Sequence, residues 1–393
     1  MSARNNVTKI SKFIQAAPEM DGLVITDPAN LAYATGLNYA GLYSIPNLIV
    51  IAFFSGRKRF LACPKVMASA YQSAGWDDSI IAYDNCTDPE SAAVGISAAF
   101  ISELFDGSKA LIGYLGERMH QSLFEKMTAR MTDCSFVDIS EPFKHLRQVK
   151  SVSELRTIEK AAAYTDHGIA SAVHHISRNC NTNEKSLSED IRVHSLERGL
   201  PVNGYRAVSQ AVSEDHATVL WPNAPYYAVG RDTKFFEGKF IRLEMAGILD
   251  GYWSNDSRMM VKGDMNPAQK AFSEKMTALR KYTCSIIKPG AVCKDIFHAI
   301  NKKAVEMGIV MAPEFGYGAG IGVSPVEPPY ISAADDTVIE KNMMIVLSLG
   351  ARYTAGGGEL YITKDTLKIT DDGCEIVGWY ENWDYPYTAA YTF

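Results

Sequence analysis

The chain has 393 residues, 47% hydrophobic and 21% charged, with a formal net charge of −6. That length and apolar content suffice for at least one large core and are expected to divide into two domains. The mild acidity, without any block or stripe of Lys and Arg, argues against nucleic acid, and the lack of 18 consecutive apolar residues argues against a membrane span.

The amino terminus, Met1-Ser-Ala-Arg-Asn-Asn-Val-Thr-Lys9, has no apolar core of the export type, so the expected location is cytoplasmic. From about Ile10 to Ile139, apolar runs alternate with helical patterns. The expected strands are Gly22–Thr26, Asn47–Phe54, Ala110–Tyr114 and Ser135–Ile139, and the expected helices include 88–105 and 117–127. This alternation predicts an α/β domain over residues 1–145. Ser151 and Glu154 have capping-box spacing, which opens a helix running to about Arg178 at the start of a second domain, 146–393. Three further helices (184–199, 266–287, 292–308) precede strand-like segments crowded towards the carboxyl end, the pattern of an α+β domain. The aromatic tail Trp379–Tyr387 is read as a terminal strand or loop laid on the core. Seven cysteines (Cys63, Cys86, Cys134, Cys180, Cys284, Cys293, Cys374) form no CxxC pair, so neither a disulfide framework nor a zinc knuckle is indicated.

Phe240–Val261 reads as a strand, an Asp250-Gly251 turn and a second strand. With those two residues at the turn, Leu249 faces Tyr252 and Glu244 faces Ser257. Glu244 and Asn255 then share one face, while Ser254 and Asp256 point to the other. A carboxylate between Leu243 and Met245 is costly to bury alone, so Glu244 is either functional or held in a structural ion pair.

At this hairpin the chain resembles the pita-bread family of creatinase, prolidase, aminopeptidase P and methionine aminopeptidase. Besides the segment Glu244–Arg258, the resemblance is carried by Asp21–Gly36, Leu146–Leu155 and the glycine-rich strand Gly316–Glu327. It is nearest the ectoine hydrolase and creatinase branch in Ile25–Tyr33 and in Glu244-Met-Ala-Gly247. The fold it implies is an α/β amino-terminal domain followed by an α+β pita-bread catalytic domain. In the peptidase members two metal ions are held by two aspartates on the hairpin, a histidine in the glycine-rich strand and two later glutamates. The matching positions here carry Glu244, Asn255, Ala319, Ser348 and Lys364. One carboxylate among these cannot supply a two-metal centre, so the expectation is no metal and no cofactor. The acidic Glu327 is kept, but Val326 stands where a second histidine usually precedes it, and the stretch Trp221–Ala228 lacks the creatinase-type histidine.

The resemblance implies C–N hydrolysis, and the expectation is a metal-independent, non-peptidase enzyme opening an amide, amidine or ureido bond in a small polar molecule. Glu244 is the expected general base, with Lys364 as its partner or an oxyanion stabiliser and Asn255 as a hydrogen-bonding group. The expected substrate-binding residues are Tyr227, Trp221, Tyr317, Ser348, Tyr361 and Tyr43, the last contributed in trans within a homodimer. The alternative for Lys364, favoured over a catalytic role, is a structural salt bridge that replaces the lost metals. Other readings of the same pocket are a lyase, cyclase or isomerase, and a catalytically inactive binding module of the kind seen in histone-chaperone relatives. Ser254 is disfavoured as a nucleophile because the register turns it away from Glu244, and Cys63 and Cys86 lack a recognisable base. The glycines Gly316, Gly318, Gly320 and Gly322 match no phosphate loop and are read as letting the backbone pass close to a pocket.

Overall fold

The computed structural model describes residues 2–37, 48–84, 87–178, 183–199, 208–213, 232, 234–235, 237–313, 316–378 and 387–389. The chain divides into two units, Met1–Arg147 and Gln148–Phe393. Among the described residues, no helix is long and apolar enough to cross a membrane.

The first unit holds a six-stranded sheet in the order β4-β3-β2-β1-β5-β6. Its strands are β1 (Gly22–Ile25), β2 (Ile51–Ser55), β3 (Arg59–Pro64), β4 (Ser79–Tyr83), β5 (Ala110–Tyr114) and β6 (Cys134–Asp138). Its helices are α1 (Ser2–Gln15), α2 (Pro28–Thr35), α3 (Lys65–Ser73), α4 (Pro89–Leu104), α5 (Gln121–Arg130) and α6 (Ser140–Gln148). The Thr-Asp-Pro-Ala-Asn segment makes α2 for local reasons. Asp27 caps it by accepting from the Asn30 amide at 3.0 Å, Pro28 fits the first turn, and Gly36 closes it at φ 75°. Val24, Phe53, Phe60, Val94, Ile101, Ile112 and Met127 fill the core.

Three expectations for this unit need correction. Of the strand expected over Asn47–Phe54, Asn47 lies outside the described residues, 48–50 are not strand and β2 begins at Ile51; β3 and β4 were not anticipated. The helix expected from 117 starts at Gln121, because Gly116–Arg118 closes a 3₁₀ turn first.

The second unit opens with α7 (Val152–Arg178), whose predicted capping box is formed: the Ser151 amide donates to Glu154 at 2.7 Å. The remaining helices are α8 (Glu184–Glu197), α9 (Pro267–Ile286) and α10 (Cys293–Glu306). The strands are β7 (Val208–Ser213), β8 (Phe240–Leu249), β9 (Tyr252–Lys262), β10 (Val310–Met311), β11 (Gly318–Gly320), β12 (Glu327–Tyr330), β13 (Met344–Tyr353), β14 (Glu359–Ile369), β15 (Cys374–Ile376) and β16 (Tyr387–Ala389). The sheet runs β12-β11-β13-β14-β9-β8-β7, with β10 on β13, β15 on β14 and β16 on β9.

Alternation along these strands assigns their two faces. Leu243, Met245 and Met260 pack with Ile169, Ala172 and Ile176 of α7 and with Leu187 and Ile191 of α8. Leu347, Leu349, Leu367 and Ile369 pack with Met276 and Leu279 of α9 and with Ile296 and Ile300 of α10. Each fully buried aliphatic side chain contributes on the order of 1.5–3 kcal/mol, so these apolar positions fix which side of the sheet meets the helices. By alternation, Arg242 and Glu244 project opposite to Leu243 and Met245, and Ser348 and Lys364 project opposite to Leu347, Leu349 and Leu367.

Candidate active site

Asp250 and Gly251 both have positive φ, 47° and 86°, as a two-residue hairpin turn of the type favoured by strand twist requires. The turn fixes the register: Leu249 pairs with Tyr252, Glu244 with Ser257 and Ala246 with Asn255. These are the pairs that the sequence predicts. Lys364 of β14 also pairs with Ser257, and Ser348 of β13 pairs with Lys364. With Gln210 opposite Glu244, a single row runs Gln210, Glu244, Ser257, Lys364, Ser348 across five strands. Ala319 of β11 pairs with Val346, on the Ser348 face.

Across this row the Lys364 ammonium donates to Glu244 Oε1, and both side chains are buried. Arg242, two residues before Glu244 on the same face, brings its Nε to 3.8 Å from Glu244 Oε2. Burial pulls the Lys364 pKa below the usual lysine range, against the opposing effect of the Glu244 carboxylate. Asn255 Oδ1 and Ser348 Oγ are buried and, among the described residues, have no hydrogen-bonding partner. Glu327 forms a separate buried pair with Lys150 at 3.0 Å.

The other face is also charged, and its acids and guanidiniums are paired with one another. Thr165 of α7 donates to Asp256 at 2.8 Å and lies 3.4 Å from Ser254, so Ser254 is turned away from Glu244. Arg258 contacts Asp166 at 3.4 Å and Asp365 at 3.3 Å, and Arg280 of α9 holds Asp365 through two hydrogen bonds of 2.6 and 2.9 Å. Burial would raise the Asp365 pKa, but the guanidiniums of Arg258 and Arg280 hold it below the usual carboxylate range.

The structure therefore brings Glu244, Lys364 and Ser348 into one row, with Asn255 two residues along from Ser257. Two expected lining residues are corrected. Tyr317 is buried in the helix-facing core, stacked on Phe297 at 4.8 Å, with its hydroxyl donating to Asn301 of α10 at 2.6 Å. Tyr361 lies on the α9-facing side, packed edge-on against Phe240 and Phe272, because its position in β14 alternates away from that of Lys364. Tyr43, Trp221 and Tyr227 lie outside the described residues, as does Cys86. Cys63 is buried, which pushes its thiol pKa up to about 11 and disfavours a nucleophilic thiolate. Sequence reasoning gave Arg242 no role, although period two places it beside Glu244. It also missed the Lys150–Glu327 pair, for which the sequence carries no local signal.

Residues 156–372 match the model of metallopeptidase family M24, and residues 7–149 match the creatinase/prolidase N-terminal domain. The chain is similar to putative dipeptidase YkvY of Bacillus subtilis, at 24% identity over 94% of this chain and 96% of that protein. It is likewise similar to an uncharacterized hydrolase/peptidase, y4tL, of Sinorhizobium fredii, at 25% identity over 91% and 90% of the two chains. Its fold matches the crystal structure of an X-Pro aminopeptidase from Thermotoga maritima, with a TM-score of 0.78 and 17% identity over 97% of this chain and 98% of that one. Peptidase and dipeptidase names among the relatives overturn the expectation of a metal-independent enzyme acting on a non-peptide bond, and that reading is withdrawn. Its error was to take the changed ligand positions as evidence of a changed reaction class. With a family model spanning more than half of its length, the chain belongs to metallopeptidase family M24 and carries a creatinase/prolidase N-terminal domain ahead of a pita-bread domain.

Proposed function

We propose that the chain hydrolyses a C–N bond of the peptide type in a small substrate, and that Glu244, Lys364 and Asn255 form its reacting centre. The observation that carries this reading is the buried row across β8, β9, β14 and β13, which joins a carboxylate and an ammonium and includes Ser348, with Asn255 two residues along from Ser257; among the described residues, Ser348 Oγ and Asn255 Oδ1 are without a hydrogen-bonding partner. The peptidase and dipeptidase names of relatives that match over nine-tenths of the chain support the substrate class. Within the family we read the chain as nearest the ectoine hydrolase branch, on Ile25–Tyr33 and Glu244–Gly247 alone.

The family's name implies divalent metal ions. Among the described residues, no three His, Cys, Asp or Glu side chains converge on one point, and the carboxylate of the row is already engaged by Lys364. Hard divalent ions need several oxygen or imidazole donors, and an ammonium beside the carboxylate repels them. The residues present do not fit a metal pair, and we read the ligand positions of the family motif as replaced.

In the proposed reaction Glu244 takes a proton from water as the water oxygen bonds to the substrate carbonyl carbon. Lys364, made more acidic by burial, gives a proton to the nitrogen as the C–N bond breaks, and the products are a carboxylic acid and an amine. Asn255 Oδ1 accepts a substrate N–H and orients the bond.

The test is release of amine from Ala-Pro, Gly-Leu and N-acetyl amino acids by the purified protein, with and without Mn²⁺ or chelator. Turnover reduced at least about a hundredfold in a folded Glu244→Gln variant is expected for loss of a general base. Absence of amine release from every substrate would defeat the reading. Turnover that requires Mn²⁺ would put the ion outside the Glu244–Lys364 pair.

A further inference from the structure

Arg242 is the charged group that the described part of the fold leaves unanswered. Its side chain is fully buried, Glu244 lies beyond hydrogen-bond range at 3.8 Å, and Nε, Nη1 and Nη2 all lack an acceptor. The same domain treats its other buried guanidiniums differently. Arg258 is held by the carbonyls of Ser257 and Lys364 and by Asp166 and Asp365, and Arg280 is held by Asp365. A buried guanidinium without acceptors is strongly unfavourable, so its retention calls for an anion that arrives from outside the chain.

Charge counting gives the same answer. Immediately around Glu244, among the described residues, Arg242 and Lys364 are two cations against one carboxylate, and the nearby Lys150–Glu327 pair is balanced. One surplus positive charge suits a singly charged group, and the planar fork of a guanidinium matches the two oxygens of a carboxylate. A phosphate would bring more negative charge than the face can neutralise. The other two orphaned groups, Asn255 Oδ1 and Ser348 Oγ, can accept hydrogen bonds, which suits N–H groups on the same ligand.

We propose that Arg242 is a specificity residue that receives the carboxylate of the ligand, so that the site takes amino acids or short peptides with a free carboxylate in preference to neutral amides. The inference rests on the Glu244 row being the ligand site, but not on the reaction performed there.

The experiment titrates glutaramate, a monoanion with one carboxylate and one amide, and its neutral isostere glutaramide into the full chain by calorimetry, using wild type, Arg242→Gln and Arg242→Lys. Glutaramate is expected to bind wild type at least about tenfold more tightly than glutaramide, in keeping with a charge-assisted pair. Arg242→Gln should abolish that preference and Arg242→Lys should restore part of it. Unliganded Arg242→Gln should melt no lower than wild type, since it loses an unanswered buried charge; a lower melting temperature would mark the guanidinium as structural and overturn the inference. Equal binding of acid and amide, failure of glutaramate to bind wild type, or glutaramate binding unchanged by Arg242→Gln would also overturn it. The hydrolase reading fails separately: Arg242-dependent glutaramate binding without dipeptide turnover would sink the reaction and leave this inference standing, and the reverse pattern would do the opposite.

Discussion

Lys364 reaches over Ser257 to bond Glu244, and Ser257 is the register partner of both. The pair is thus locked by strand pairing on each side, in a place where neither charge has water to turn to. Replacing Lys364 by Met removes the ammonium that bonds the carboxylate directly and leaves the Arg242 Nε at 3.8 Å. Lys364→Met should lower unfolding stability by about 3–5 kcal/mol, the usual result of removing one partner from a buried pair. Ser257→Ala, which removes only a long 3.4 Å contact to the Ile362 carbonyl, should cost about 1 kcal/mol. Urea denaturation of the two variants checks the ranking, and equal losses would show that the ion pair does not anchor the row.

On the opposite face, Asp256 gives stability a pH dependence of unusual sign for a carboxylate. Burial pushes its pKa up to about 6, although Arg258 and the hydrogen bonds from Thr165 and the Thr366 amide pull the other way. In the unfolded chain an aspartate titrates near about 3.9. Between those values the folded state keeps a proton that the unfolded state has released, so this group's contribution falls as pH rises from about 4 to about 6 and is constant above. Asn at this position can still accept from the Thr366 amide and donate to Thr165, whose hydroxyl also reaches the Ala162 carbonyl. Asp256→Asn should therefore gain on wild type by about 1–3 kcal/mol between pH 4 and pH 6.5. Urea curves that stay parallel across that range would show Asp256 ionised throughout.

How much of this was legible in the sequence depended on the distance over which a residue's environment is set. The Asp250-Gly251 turn fixes a register locally, so the faces of Glu244, Asn255 and Ser254 followed from period two alone. The same rule places Tyr361, three residues from Lys364 in one strand, on the other face, and aromatic residue type was wrongly allowed to outweigh it. The Glu244–Lys364 pair spans 120 residues, and only the family resemblance put both at one site. Arg242 could be located beside Glu244, but that it lacks any acceptor is a property of the packed sheet. The edge strand β4 was missed because only Tyr83 in it is buried, which leaves a weak apolar signal.

The glycine series that reads as a close backbone approach can be tested directly. Gly318 sits at φ 150°, where a Cβ would fall 2.5 Å from the Val346 carbonyl, and a Cβ on Gly320 would fall 2.3 Å from the Pro328 carbonyl. Both obstacles are backbone, which cannot swing aside as a side chain can. Gly320→Ala should therefore cost about 1–3 kcal/mol, as other forced overpacking does. Gly373→Ala, where nothing lies within 4 Å, should change stability by less than about 0.5 kcal/mol. The two melting curves decide the point, and a neutral Gly320→Ala would mean that β12 can retreat from β11. The consequence reaches the site, because β11 also pairs with β13, and the Ser348 amide donates to the Tyr317 carbonyl just ahead of β11 at 3.0 Å. A strand displaced there would carry Ser348 out of the row, so Gly320→Ala should weaken ligand binding even where the protein remains folded.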